Sequence, residues 1–255
     1  MLKEMPENVR KTHPLVHKIV NYVNANNCVA IKIDGAIFDM DGTLLDSMFI
    51  WNTIGEEYLL SRGITPEKNL NQIFKSMSLV EAVEYYQNEY GITDSSKDII
   101  DGVNGMIEHF YIEKVSAKEG VKEFLQHLEQ CGVKMCVATA TDRYLAEAAL
   151  KRTGLLKFFS EIFTCTEVGS GKDQPLIYET ALQHLNTGKS STYIFEDALY
   201  AVKTAKNAGF HVVGVYDESE RNHQSELADS SDIYMNSFQE WRTYFEEKGF
   251  DNSGF

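Results

Sequence analysis

The stretch AIFDMDGTLLDS, Ala36 to Ser47, joins an apolar, buried-looking segment to two carboxylates, Asp39 and Asp41. Side chains two positions apart in an extended segment point to the same side, so both carboxylates face one pocket beyond the strand. Gly42 permits a tight turn there, and Thr43 adds a hydroxyl. Two like charges at a buried strand end are costly unless a cation or a chemical role compensates them. The stretch therefore predicts that the end of this strand is part of a functional site. The simpler alternative is an aspartate turn in which Asp39 is only a stray polar residue.

Short apolar segments alternate with amphipathic ones from about Gly35 onward, which is typical of β-α-β units. The pattern predicts an α/β fold with a doubly wound, mostly parallel sheet. The predicted strands are AIFDM (36–40), KMCVATA (134–140), EIFTCTEV (161–168), STYIFED (191–197) and HVVGVYD (211–217). The predicted helices between them cover 120–132, 142–154, 175–186 and 198–209.

One interval, residues 48–115, breaks this alternation with consecutive helix-like segments. Because it follows the first strand, it predicts a second, α-helical domain above the carboxyl ends of the strands, where ligands bind in open α/β sheets. We therefore divide the chain into an N-terminal helical extension (1–33), a core (34–47 and 116–255) and a helical cap (48–115).

Composition limits the class of partner. The net charge of −14, from 38 acidic and 24 basic residues, disfavours nucleic acid and anionic membranes. The four cysteines form no CxxC pair, which favours reduced thiols. No apolar run approaches a membrane span, and the first residues, MLKEMPENVR, are too polar for a signal peptide. We expect a cytoplasmic protein that is a monomer or a weak homodimer.

Three further stretches place reactive side chains after predicted strands. CVATATDR supplies Thr139, VGSGKDQP supplies Lys172, and STYIFEDALYAV supplies Glu196 and Asp197. Alone, the threonine is explained as a helix cap and the lysine as a solvated side chain. Together with Asp39 they converge on one edge of the sheet. The acids predict a Mg²⁺ site, and the lysine and hydroxyl predict a cradle for phosphoryl oxygens.

This ordered set resembles the haloacid dehalogenase-like phosphohydrolase superfamily, in the subgroup with a helical cap after the first motif (phosphoglycolate phosphatase and β-phosphoglucomutase-like proteins). DMDGT matches the first motif, Thr139 the second, Lys172 the third, and Glu196–Asp197 the fourth. The resemblance extends from about Gly35 to Asp217.

The resemblance implies a magnesium-dependent phosphatase that hydrolyses a small phosphorylated metabolite through an aspartyl-phosphate. It implies Asp39 as nucleophile, Asp41 as general acid and base, and Lys172 as the cation that orients Asp39. The implied metal ligands are Asp39, the backbone carbonyl of Asp41 and Asp197. Glu196 is implied to lie close to the metal ion or just behind its direct ligands. The implied substrate-binding residues are Thr43, Thr139, Ala140 and Lys172.

Two alternatives stay open. Phosphosugar mutases of this superfamily carry a cap arginine where this chain has Leu79, which argues against a mutase, although Lys75 could substitute in part. A non-catalytic protein that binds a phosphorylated metabolite is the second alternative, and the intact motifs disfavour it.

Overall fold

The computed structural model describes residues 33–74 and 79–242, and the elements below lie in one compact unit, Ile33–Trp241. Its strands are β1 (Gly35–Phe38), β2 (Leu45–Asp46), β3 (Ser116–Ala117), β4 (Lys134–Thr139), β5 (Ile162–Thr164), β6 (Thr192–Glu196), β7 (His211–Val215) and β8 (Ile233–Met235). Six of them form a parallel sheet in the order β5-β4-β1-β6-β7-β8, and β2 and β3 form a short antiparallel ribbon. The predicted doubly wound α/β fold is confirmed.

Helices fill the connections between these strands. Their bounds are α1 (Phe49–Ser61), α2 (Leu70–Phe74), α3 (Leu79–Tyr90), α4 (Ser96–His109), α5 (Val121–Gln130), α6 (Arg143–Arg152), α7 (Cys165–Val168), α8 (Leu176–Leu185), α9 (Leu199–Asn207) and α10 (Gln224–Ser230). A π-helix, Phe110–Lys114, follows α4, and short 3₁₀ turns cover Leu156–Phe158, Lys189–Ser191, Glu218–His223 and Phe238–Glu240. Within the described ranges, no helix has both the length and the apolarity that crossing a membrane requires.

The central strands are apolar on both faces because helices cover both sides of a parallel sheet. All four residues of β1 and all five of β6 are buried. Phe38 of β1 stacks on Phe195 of β6 with ring centroids 4.3 Å apart, and Phe124 of α5 meets both rings. This packing fixes where β1 and β6 end, and hence where the residues that follow them lie.

The connections leave β1 and β6 in opposite directions along the sheet. After β1 the chain forms β4 and then β5 on one side, whereas after β6 it forms β7 and β8 on the other side. Such a reversal opens a crevice at the carboxyl ends of the two strands, and ligands of open α/β sheets bind there. The sheet therefore has its natural binding crevice next to Asp39.

The segment that holds α1 to α4 leaves and rejoins the sheet domain at one place. Leu45 of β2 pairs with Ala117 of β3, and Asp46 pairs with Ser116. The ribbon thus holds the two connections side by side, a few residues beyond the end of β1. The division of the chain at residues 48 and 115 stays a prediction.

Two differences from the predicted elements have local causes. The predicted strand 161–168 is wrong beyond Thr164, because the Thr164 hydroxyl accepts a hydrogen bond from the Glu167 N–H and starts α7. Strand β8 was not predicted at all. The predicted N-terminal extension (1–33) lies almost wholly outside the described residues.

Candidate active site

Three carboxylates meet in the crevice between β1 and β6. Asp39 follows β1, Glu196 ends β6, and Asp197 follows it. One carboxylate oxygen from each lies within 4.8 Å of the others, and all three side chains are buried. Because the register pairs Phe38 with Phe195, the two strands end level with each other. The sheet itself therefore brings these acids together.

Lys172 reaches the same cluster from the loop before α8. Its Nζ donates to Oδ1 of Asp39 and, at 2.6 Å, to Oε1 of Glu196, which also accepts a hydrogen bond of 2.8 Å from the Tyr178 hydroxyl. Three ionised carboxylates beside one ammonium leave two negative charges uncompensated. The structure brings together the predicted Asp39, Lys172, Glu196 and Asp197.

The pKa values of these groups reflect their burial. Desolvation, together with the negative charges of Glu196 and Asp41, raises the pKa of Asp39 to about 7, against the opposing pull of Lys172. Desolvation also raises the pKa of Asp197 well above its usual range. For Lys172, desolvation lowers the pKa, but the two adjacent carboxylates outweigh it and raise the pKa overall. The lysine therefore stays charged, whereas ionising Asp39 or Asp197 in this buried site costs free energy.

Asp41 has a different environment, made of hydroxyl groups. Its Oδ1 accepts hydrogen bonds of 2.7 Å from the hydroxyls of Ser47 and Tyr111, and its Oδ2 accepts one of 2.7 Å from Thr141. Gly42 makes the adjoining turn with φ of 76°, and a Cβ there would overlap the Asp197 carboxylate. Only glycine therefore fits at position 42, between the Asp41 backbone and the Asp197 carboxylate.

The remaining predicted residues surround this centre. Thr139 is buried at the end of β4, where its Oγ1 accepts a hydrogen bond of 3.0 Å from the Thr141 N–H. Ala140 follows it and is exposed. Thr43 donates to Oδ1 of Asp197 at 3.0 Å, so its hydroxyl faces the carboxylates. The substrate-binding roles of these three residues stay predictions.

Four hydroxyl groups around this centre, those of Ser47, Tyr111, Thr141 and Tyr178, were not predicted from the sequence. Ser47 ends the stretch AIFDMDGTLLDS, and Thr141 follows Thr139 by two positions. Both hydroxyls are therefore close in sequence to predicted site residues and could have been predicted from the motifs. Tyr111 and Tyr178 gave no such signal. Their contacts with Asp41 and Glu196 span 70 and 18 positions and follow from packing alone.

The donor set fits a hard divalent cation. Carboxylate oxygens are the preferred ligands of Mg²⁺, and a cation would balance the negative charge that Lys172 leaves uncompensated. The charge of such an ion would offset the desolvation that raises the pKa values of Asp39 and Asp197.

Comparison with known proteins assigns the class. The family model for haloacid dehalogenase-like hydrolases matches residues 36–215, and the chain belongs to this family. It is therefore an enzyme of the hydrolase class, as the four motifs predicted.

Among its relatives, a phosphorylated carbohydrates phosphatase from Thermotoga maritima is 27% identical over 154 residues, which cover 60% of this chain and 71% of that protein. The validoxylamine A 7'-phosphate phosphatase of Streptomyces hygroscopicus subsp. limoneus is 27% identical over 207 residues, which cover 81% and 95%. The crystal structure of a candidate β-phosphoglucomutase from Thermotoga maritima superimposes with a TM-score of 0.75 at 25% identity, covering 84% of this chain and 99% of that one.

Proposed function

We propose that this protein is a magnesium-dependent phosphatase that hydrolyses the phosphate monoester of a sugar or polyol through an aspartyl-phosphate intermediate. The observation that carries the proposal is the contact between buried Asp39 and Lys172 inside the three-carboxylate cluster, with Asp41 two residues away. The two named relatives support the proposal, because one is by name a phosphorylated carbohydrates phosphatase and the other a phosphatase of validoxylamine A 7'-phosphate.

In the first half-reaction Asp39 attacks phosphorus. Since Lys172 binds Oδ1 of Asp39, we assign the attack to Oδ2. The new Oδ2–P bond forms as the bond from phosphorus to the leaving oxygen breaks, and Asp41 transfers its proton to that oxygen. Lys172 neutralises charge beside the nucleophile, and the hydroxyl of Thr139 holds a phosphoryl oxygen.

In the second half-reaction a water molecule replaces Asp39 on phosphorus. Asp41, now ionised, takes a proton from this water, whose oxygen attacks phosphorus and releases inorganic phosphate and the free Asp39 carboxylate. A Mg²⁺ ion held by Asp39, Asp197 and the backbone carbonyl of Asp41, with Glu196 beside it, would supply positive charge to the phosphoryl oxygens.

The helical segment 48–115 is the cap in this proposal. Closing over the crevice would exclude bulk water from the aspartyl-phosphate, and opening would admit substrate and release product. The β2–β3 ribbon, which holds both connections of the segment, supports this arrangement because a hinge needs its two chain crossings close together.

A phosphosugar mutase is the second candidate, favoured by the similarity to the candidate β-phosphoglucomutase. The two residues that bear on it, Lys75 and the side chain of Leu79, lie outside the part of the chain that the structure describes. A mutase would leave little inorganic phosphate, so phosphate release separates the two candidates.

The test is phosphate release from a panel of sugar and polyol monophosphates, pyrophosphate and p-nitrophenyl phosphate, with Mg²⁺ or excess chelator. We expect release that depends on Mg²⁺, and a loss of more than about 100-fold in Asp39→Asn, because an amide keeps the shape but is no nucleophile. The matched control is Asp229→Asn, an exposed position on α10, which should keep full activity. An active Asp39→Asn variant, or full activity in chelator, contradicts the proposal.

A further inference from the structure

The three hydroxyls on Asp41 come from three separate parts of the chain. Ser47 lies just after β2, and Thr141 lies between β4 and α6. Tyr111 alone among them belongs to the helical segment 48–115, and it reaches Asp41 across 70 positions of sequence. Its hydrogen bond of 2.7 Å is therefore a direct link between that segment and a side chain of the candidate active site.

Packing fixes the Tyr111 side chain in the place from which it makes this bond. The residue is fully buried, and its ring packs edge-on against Phe110, which in turn packs edge-on against Phe49 of α1. Both Phe110 and Tyr111 lie in the π-helix at the end of α4. A π-helical turn is rare and is found frequently at functional sites, because the wider turn changes the direction of the side chains within it.

A phenol hydroxyl suits a partner that changes its protonation state. It donates to Oδ1 of the ionised Asp41 carboxylate, and it can go on donating to Oδ1 when the proton is on the other oxygen, because a protonated carboxyl keeps acceptor capacity there. Tyr111 can therefore hold the Asp41 carboxyl in place both before and after a proton moves. Without Tyr111 the carboxyl would keep Ser47 and Thr141, both outside the helical segment.

We infer that Tyr111 is a positioning residue for the proton transfer by Asp41. The inference rests on the proposed function. The proton moves from the Asp41 carboxyl to the leaving oxygen, and Tyr111 holds the carboxyl in line without itself touching the substrate.

Tyr111→Phe removes the hydroxyl and keeps the ring that packs on Phe110. The readout is the pre-steady-state release of the leaving group from two substrates. An alkyl phosphate needs a proton on its leaving oxygen, whereas p-nitrophenyl phosphate releases a stable phenolate that does not. We expect the release from the alkyl phosphate to fall by about 10- to 100-fold, and the release from p-nitrophenyl phosphate to change by less than about threefold.

The matched control is Tyr86→Phe. Tyr86 is also a buried tyrosine of the helical segment, and its hydroxyl donates to the Gly55 carbonyl at 3.0 Å. Its loss perturbs the segment but leaves Asp41 alone, so any effect should be the same for both substrates. Thermal unfolding of each variant monitors folding, and Tyr111→Met repeats the test if the phenylalanine variant does not fold.

Equal losses on the two substrates in Tyr111→Phe, or no loss on either, would overturn the inference. The proposed function fails in a different way. If the wild type releases phosphate from neither substrate, or if Asp39→Asn is as active as the wild type, the chemistry assigned to Asp39 and Asp41 is wrong and the inference falls with it.

Discussion

At the residue scale, Asp39 is placed where its charge costs stability. Burial and the neighbouring acids raise its pKa to about 7 from an ordinary value of 3.8. Between these two pH values the folded protein binds more protons at this position than the unfolded chain does, so the free energy of unfolding falls as pH rises. The contribution of Asp39 is fully favourable below pH 3.8 and is lost as pH rises through about 7.

This fall in the free energy of unfolding with rising pH gives a prediction for the metal-free protein. An asparagine cannot ionise, so Asp39→Asn should unfold at a higher temperature than the wild type at pH 8.5, and the gap should close toward pH 5.5, where wild-type Asp39 is protonated. The measurement is thermal unfolding in excess chelator at pH 5.5, 7.0 and 8.5, with Asp229→Asn as the control that tracks the wild type throughout. A difference in unfolding temperature that stays constant with pH would contradict the conclusion that ionised Asp39 destabilises the metal-free fold.

At the element scale, the strand ends were predictable from the sequence and the contacts between distant segments were not. Asp39, Thr139 and Glu196 follow or end apolar runs, and parallel strands bring their carboxyl ends to one edge. The three-residue strand β8 is too short to give a periodic signal. The contact of Tyr111 with Asp41 could not be predicted for another reason, because the position of Tyr111 depends on how a π-helical turn packs.

The connection after β3 carries an ion pair that ties it to the end of β7. Lys118 donates from Nζ to the Tyr216 carbonyl at 2.7 Å and pairs with Oδ2 of Asp217 at 2.8 Å, and its own N–H donates to the Leu44 carbonyl. The Asp217 side chain is 8% exposed and the Lys118 side chain 17%. Breaking such a pair from one side leaves a largely buried charge without its partner.

Lys118→Met should therefore lower the free energy of unfolding by about 3 kcal/mol, the low end for a buried pair, because the Lys118 side chain is partly exposed. The double variant Lys118→Met/Asp217→Asn should lose less than the sum of its single variants, because the uncompensated charge is gone. Denaturant unfolding measures all three. The control is Lys203→Met, whose amino group pairs with Glu226 at the surface, and which should cost less than about 1 kcal/mol. Additive losses in the double variant would show that the pair does not couple.

At the scale of the whole molecule, charge opposes the proposed substrate. The chain carries a net charge of −14, so a phosphorylated metabolite approaches a surface that repels it. In the proposed mechanism, attraction begins only near the site, where Lys172 and a bound cation would supply positive charge. The repulsion by the net charge and the attraction near the site differ in range. Salt screens interactions between exposed charges beyond about 10 Å at 0.1 M ionic strength, but it screens buried pairs much less.

Added salt should therefore weaken the repulsion more than the attraction, and kcat/KM should rise. We expect an increase of about two- to fivefold between 20 and 200 mM KCl at constant free Mg²⁺, since the Debye length shortens roughly threefold over that range. The increase should be steeper for a sugar bisphosphate than for the monophosphate, because repulsion grows with the charge of the substrate. Steady-state kinetics on both substrates, with sucrose in place of KCl as a control for viscosity, measure the effect. A fall in kcat/KM with KCl would mean that the local positive field of the site, and not the net charge of the molecule, governs substrate capture.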